Sequence, residues 1–262
     1  WAIEQRWGGI WRWLLPALIL AIVLVFVAAP APLPHNLLVA MGGVCALRPE
    51  HSYFAGGVQL PLEARMTGIY GGFLLTLLIL LALRRVGARR LGNWPVIGIL
   101  GVFFASMAFD GINSTLAELH VPHLYTPTNE LRLISGLLSG IAIAPFLVWL
   151  LSVMAVPKGH GTRLVVRSPW ELAAPLALNA AYAALVLDGR AWFYFPVAFL
   201  SVAGIITVVA SGVLLVILVI GELEARITRP SQIVAPAALA FLVAFAIFAA
   251  TATLRWTLVG AS

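Results

Sequence analysis

The residues able to do chemistry in this 262-residue chain are few, and they gather in three stretches. Arg48, Glu50, His51, Glu63 and Arg65 come first, Asp110 and Asn113 follow, and Asn129, Glu130 and Arg132 close the set. Guanidinium forks fit the paired oxygens of carboxylates and phosphates, so these arginines could grip an oxyanion in a pocket. The same residues could instead pair among themselves, Arg65 or Arg132 with Asp110 or Glu63, because charges partly buried in a membrane bundle usually find one another. The structural network is the leading expectation. Acid or base work by Glu63, Asp110 or His51 is a third reading, with no catalytic residue assigned.

Metal chemistry has weaker support. Glu118, His120 and His123 offer a carboxylate and two imidazoles, the donor types that zinc takes, but Pro122 breaks any helical spacing and a fourth ligand is missing. Solvated loop histidines are expected there. Cys45 is the only cysteine, which removes an intrachain disulfide and a thiolate zinc site. Neither a metal nor a cofactor is expected.

The elements that must hold these residues are membrane helices. Hydrophobic residues make up 62% of the chain, charged ones 10%, and mean hydropathy is +1.02, more apolar surface than a water-soluble fold can hide. Seven runs approach the roughly 20 apolar residues a span needs: 11–29, 65–83, 94–110, 131–156, 170–187, 193–220 and 233–259. The fold class expected is therefore all-α, a polytopic membrane helix bundle of seven predicted transmembrane helices. Eleven of the sixteen Lys and Arg (Arg6, Arg12, Arg84, Arg85, Arg89, Arg90, Lys158, Arg163, Arg167, Arg226, Arg229) fall on one side of these spans. Arg48, Arg65, Arg132, Arg190 and Arg255 fall on the other. The positive-inside rule then puts the N-terminus in the cytoplasm and the polar cluster on the outer face of a bacterial inner or plasma membrane. The formal charge of +6 is explained by these short basic loops, so nucleic acid is not an expected partner. Residues 14–29 followed by Pro30, Ala31 and Pro32 have the outline of a signal peptide, yet the charge count favours a retained span.

Helical spacing puts Arg65, Gly68, Gly72 and Thr76 on one face of the second span, and Asn129, Arg132, Gly136 and Gly140 on one face of the fourth, with Ser135 and Ser139 beside them. Ser106, Asp110 and Asn113 share a face if the third span continues one turn outward. Small residues let helices approach closely in lipid, so spans two, three and four are expected to pack through these faces. Residues 1–157 then form a bundle with outer polar loops, and 158–262 a plainer three-helix region. Glu171, Pro175, Asn179 and Tyr182 share a face of the fifth span, where helix packing is the expected role. The five histidines (His35, His51, His120, His123, His160) all read as loop residues, and most of the nine Trp, Trp1 and Trp7 among them, read as interfacial anchors.

Three motifs carry a resemblance: CALRPEHSYFAGGVQLPLEARMTGIYGG over 45–72, FDGIN over 109–113 and TNELRLISG over 128–136. Together they resemble the domain-of-unknown-function 2085 family of bacterial and archaeal membrane proteins, over about residues 40–145. Cys45, Ser52, Arg65, Gly68, Tyr70, Asp110, Gly111, Asn129 and Arg132 agree with the family pattern. Ala46 stands where the family has His, Glu63 where it has Cys, and Met66 where many members have a second Cys. The resemblance thus supports the Arg, Asp and Asn cluster, speaks against a metal in this chain, and implies no activity.

The leading functional expectation is a non-catalytic structural or accessory subunit of a larger membrane complex, with membrane lipids and other integral subunits as partners. The alternative is a transporter or a protein binding lipid or a small anion in the outer pocket. Transport would call for polar or broken helices near the midplane, whereas the polarity here lies at one end.

Overall fold

Glycines bring two helices together at the centre of the molecule. In the computed structural model, which describes residues 9–157 and 163–259, helices Ala64–Ala82 (α3) and Asn129–Ala155 (α5) approach backbone to backbone. A Cβ added at Gly68 would collide with the Leu133 carbonyl, one at Gly136 with the Arg65 carbonyl, and one at Gly140 with the Ile69 carbonyl. With no hydrophobic drive between helices in lipid, this close contact is what holds the pair.

The other helices dress this pair. Trp94–Glu118 (α4) packs on α5, while Ala173–Asp188 (α6) and Tyr194–Ile220 (α7) pack on α3. Val234–Val259 (α8) lies on α7, and Trp11–Val27 (α1) lies on α8 with no buried side chain of its own. Leu33–Met41 (α2) is a short helix docked on α8. Six helical stretches, containing α3 to α8, are long and apolar enough to cross a membrane, while α1, at 17 residues, is shorter. The protein is an all-α membrane bundle, and the expected seven spans resolve into six long ones and this shorter helix. Arg6, Lys158, His160, Trp1 and Trp7 lie outside the described residues.

Connections alternate between two ends. At one end Arg85 Nη2 meets Glu171 Oε1 at 2.6 Å, and Arg89 donates to the carbonyls of Val153 and Val156 where α5 finishes, so cations meet a helix C-terminus. At the other end, the pocket end, Arg255 Nη1 on α8 donates to the Gly42 carbonyl at 2.7 Å and to the Cys45 carbonyl, and Trp256 Nε1 donates to the Val39 carbonyl at 3.0 Å. These bonds pin α2 to α8. Trp256 is therefore a clamp, whereas Trp94, Trp170 and Trp192 are more than 75% exposed at helix starts, as interfacial anchors would be.

Two expectations need correction. The third span does not stop at residue 110: α4 runs on to Glu118, because the Asp110 carboxylate is neutralised by neighbours and the helix has no reason to end there. The connection expected at 111–130 shrinks to 119–128. His35 lies in α2, which starts where Leu33 and Pro34 suit the first helical turn, so the histidines are not all loop residues. The long stretch after α1 also holds a hairpin, Phe54–Ala55 (β1) paired with Val58–Gln59 (β2), whose Gly56 and Gly57 take positive φ. In the helices after residue 158, Asn179 and Tyr182 lie on the face expected to pack. Asn179, Tyr182 and Ser201 are buried, and Asn179 Nδ2 donates to the Pro175 carbonyl at 2.8 Å.

Candidate functional site

Two linked groups of polar residues occupy the pocket end. The deeper one centres on Asp110, 3% exposed on α4. Its Oδ2 accepts from Arg65 Nη2 at 2.6 Å and from Ser135 Oγ at 3.2 Å, and its Oδ1 accepts from the Tyr125 hydroxyl at 2.8 Å. Arg65 Nη2 also donates to Ser114 Oγ at 2.9 Å. α3, α4, α5 and the 119–128 connection therefore converge on one carboxylate, which is fully supplied with donors. Burial, and the bond to Asp110 after it, push the Tyr125 phenol up to about 12. Asn113, one turn on, faces the connection rather than the pocket: its Oδ1 accepts from Leu124 N at 2.8 Å and its Nδ2 donates to the Tyr125 carbonyl at 2.8 Å.

The shallower group surrounds Glu118, the last residue of α4. Arg48 donates from Nη1 to Glu118 Oε2 at 3.1 Å, while its backbone N–H and Nε meet Glu63 Oε1 at 3.0 and 3.4 Å. His51 Nε2 and Arg132 Nη2 each lie 3.8 Å from Glu118 Oε1. Local structure aims these groups. Leu47 takes a left-handed φ of +59° just before Arg48, and Ser52 Oγ donates to the Arg48 carbonyl at 2.8 Å. α5 begins where the Thr128 side chain accepts from Leu131 N at 3.3 Å, which sets Arg132 one turn into the helix. Asn129 joins the sides, its Oδ1 accepting from Arg132 Nη1 at 3.1 Å and its Nδ2 donating to the Glu50 carbonyl at 3.0 Å.

Between these side chains opens a cavity of about 680 Å³, lined by Arg48, Glu50, His51, Ser114, Ala117, Glu118, His120, Pro127 and Arg132. Burial, with Arg132 and Arg48 nearby, lowers the His51 pKa, so its imidazole is neutral at pH 7. Arg48, Glu50, His51 and Arg132 thus line the cavity. Glu63 stands behind Arg48, Asn129 braces Arg132, and Arg65 with Asp110 forms the deeper pair.

Four further residues complete the site: Glu118, Ser114, Tyr125 and Ser135. Asp110, Ser114 and Glu118 are spaced by four, so the helical period would have aligned them had the third span been drawn past residue 110. Burial raises the thiol pKa of Cys45, which accepts from Glu63 N at 3.4 Å. His123 Nδ1 lies 3.1 Å from the Val121 carbonyl, and among the described residues no three His, Cys, Asp or Glu side chains gather as a metal would need.

A multi-pass helical membrane protein with a polar cavity at one end is the class that this architecture defines. Residues 45–146 match the model of a family described as a predicted membrane protein, DUF2085, the same family that the three motifs resemble. The match contains all of the cavity-lining residues. No curated protein and no solved structure matches the chain.

Proposed function

We propose that this is a non-catalytic integral membrane protein whose cavity, facing the outer side of the cell membrane, holds a ligand bearing a carboxylate or phosphate. One observation carries the reading. The Arg132 side chain is 11% exposed, yet among the described residues it makes a single hydrogen bond, to the neutral Asn129 amide, and the carboxylate nearest to it is 3.8 Å away. A guanidinium taken out of water needs its charge and its donors matched, and an oxyanion in the cavity would match both. The outward orientation rests on charge: among the described residues nine arginines (Arg12, Arg84, Arg85, Arg89, Arg90, Arg163, Arg167, Arg226, Arg229) belong to the opposite end, and five (Arg48, Arg65, Arg132, Arg190, Arg255) to the pocket end.

Gentle extraction followed by native mass spectrometry tests the reading. A retained molecule bearing a carboxylate or phosphate, lost in Arg132→Gln while the unfolding temperature holds, is the expected result. Stoichiometric partner chains with no retained molecule would favour an accessory subunit instead.

A further inference from the structure

Resting on that reading, we propose that the ligand is a zwitterion, an oxyanion and an ammonium group carried on one small molecule or headgroup. Two charged groups of the cavity wall have hydrogen-bonding capacity to spare, and they differ in sign. Arg132, the cation, lies 3.8 Å from Glu118, and among the described residues its guanidinium hydrogen-bonds only to Asn129. Glu50 is the anion: it is exposed at the rim, and its carboxylate takes part in no hydrogen bond or ion pair among the described residues. The two flank one side chain, since Asn129 bonds the Arg132 guanidinium through Oδ1 and the Glu50 backbone through Nδ2. Both residues line the same cavity, so one small molecule carrying both charges, such as phosphoethanolamine or an amino acid, could meet them together.

Charge balance favours this class over a simple anion. In the cavity lining Arg48 and Arg132 supply two positive charges, and Glu50 and Glu118 supply two negative ones. His51 adds none at neutral pH. The lining is therefore neutral, and a bare anion would leave the site net negative, where like charges repel. A simple cation would leave the Arg132 donors empty. A ligand carrying both groups brings its oxyanion to Arg132 and its ammonium to Glu50, so the ammonium offsets charge that a bare anion would add. The cavity, about 680 Å³, lies within the usual range for small-molecule sites, about 300–1,000 Å³.

Two sources share this chemistry, an aminophospholipid headgroup and a free solute. The test uses the full chain. In detergent, O-phosphoethanolamine, phosphoglycerol and inorganic phosphate are titrated calorimetrically; in nanodiscs, retention of phosphatidylethanolamine is compared with that of phosphatidylglycerol by native mass spectrometry. Phosphoethanolamine binding about tenfold tighter than either anion, with the advantage erased in Glu50→Gln, is the expected result and assigns a free solute. The same preference seen only in the nanodisc assigns the lipid and equally supports the zwitterion. Glu50 is exposed, so its variant should fold normally, which an unchanged unfolding temperature verifies. Equal binding of all three probes, weakened by Arg132→Gln but untouched by Glu50→Gln, would overturn the zwitterion and leave the oxyanion pocket standing. No binding of any probe in either setting would overturn both.

Discussion

Arg65 Nη2 lies 2.6 Å from Asp110 Oδ2, and this contact fastens the first turn of α3 to α4, two helices that otherwise meet through α5 between them. Side-chain exposures of 25% for Arg65 and 5% for Asp110 make it the better buried of the pocket-end pairs. Removing one partner strands the other charge in a medium that solvates it poorly, a loss of about 3 kcal/mol or more. Asp110→Ala should therefore lower the unfolding temperature clearly in detergent. Replacing both residues together should cost less than the sum of the single changes, by the coupling that a double-mutant cycle measures. Additive effects would show that the pair does not hold the two helices.

Glycine substitutions separate close approach from helix propensity. Gly136→Ala would drive a methyl group into the Arg65 carbonyl, whereas a methyl at Gly98 of α4 or Gly212 of α7 meets nothing within 4 Å. The first should destabilise by about 1–3 kcal/mol, and the other two should be neutral or stabilising by up to about 1 kcal/mol. Thermal unfolding of the three variants side by side is the check, and a uniform response would remove the tight α3–α5 contact from the account.

How much of this was legible in the chain is plain from the same residues. Gly68, Gly72, Gly136 and Gly140 announce their contact because helical period and small size are local properties. Asp110 misleads for the opposite reason. An acidic residue ending an apolar run looks like the membrane boundary unless its partner is known, and Arg65 is 45 positions away in sequence. Glu118, read as a loop donor beside His120 and His123, joins the arginine cluster because α4 continues and turns it toward Arg48, His51 and Arg132. Helix α2 has nine residues, and its place against Arg255 and Trp256 depends on contacts more than 200 positions apart, which no local pattern encodes.

His51 gives the pocket end a pH dependence of known sign. Its native pKa lies below the ordinary value of 6.5, so the unfolded chain binds more protons between those two pKa values. Stability contributed by this residue should rise with pH across that interval, be complete above about 6.5, and be lost as acid protonates the imidazole beside Arg48 and Arg132. Unfolding temperatures measured from pH 7.5 down to 5 should fall more steeply for the parent than for His51→Gln. Parallel curves would mean that His51 titrates as a solvated imidazole.

Tyr125 ties the 119–128 connection to the buried carboxylate through its hydroxyl. Tyr125→Phe would leave Asp110 Oδ1 without that donor, a loss of about 1–3 kcal/mol, and should speed proteolysis within the connection while the helices stay intact. Unaltered cleavage would assign the anchoring to Asn113 alone.

The central claim is that Arg132 is a ligand-binding cation rather than one more member of a structural network. Calorimetric titration of O-phosphoethanolamine into the purified full-length chain and its Arg132→Gln variant measures this most directly, read beside their unfolding temperatures without ligand. The account predicts binding to the parent, at least tenfold weaker binding to the variant, and an unfolding temperature that is unchanged or higher once the poorly matched charge is gone. Equal affinity in both chains, or a variant that binds nothing because it no longer folds, would contradict it.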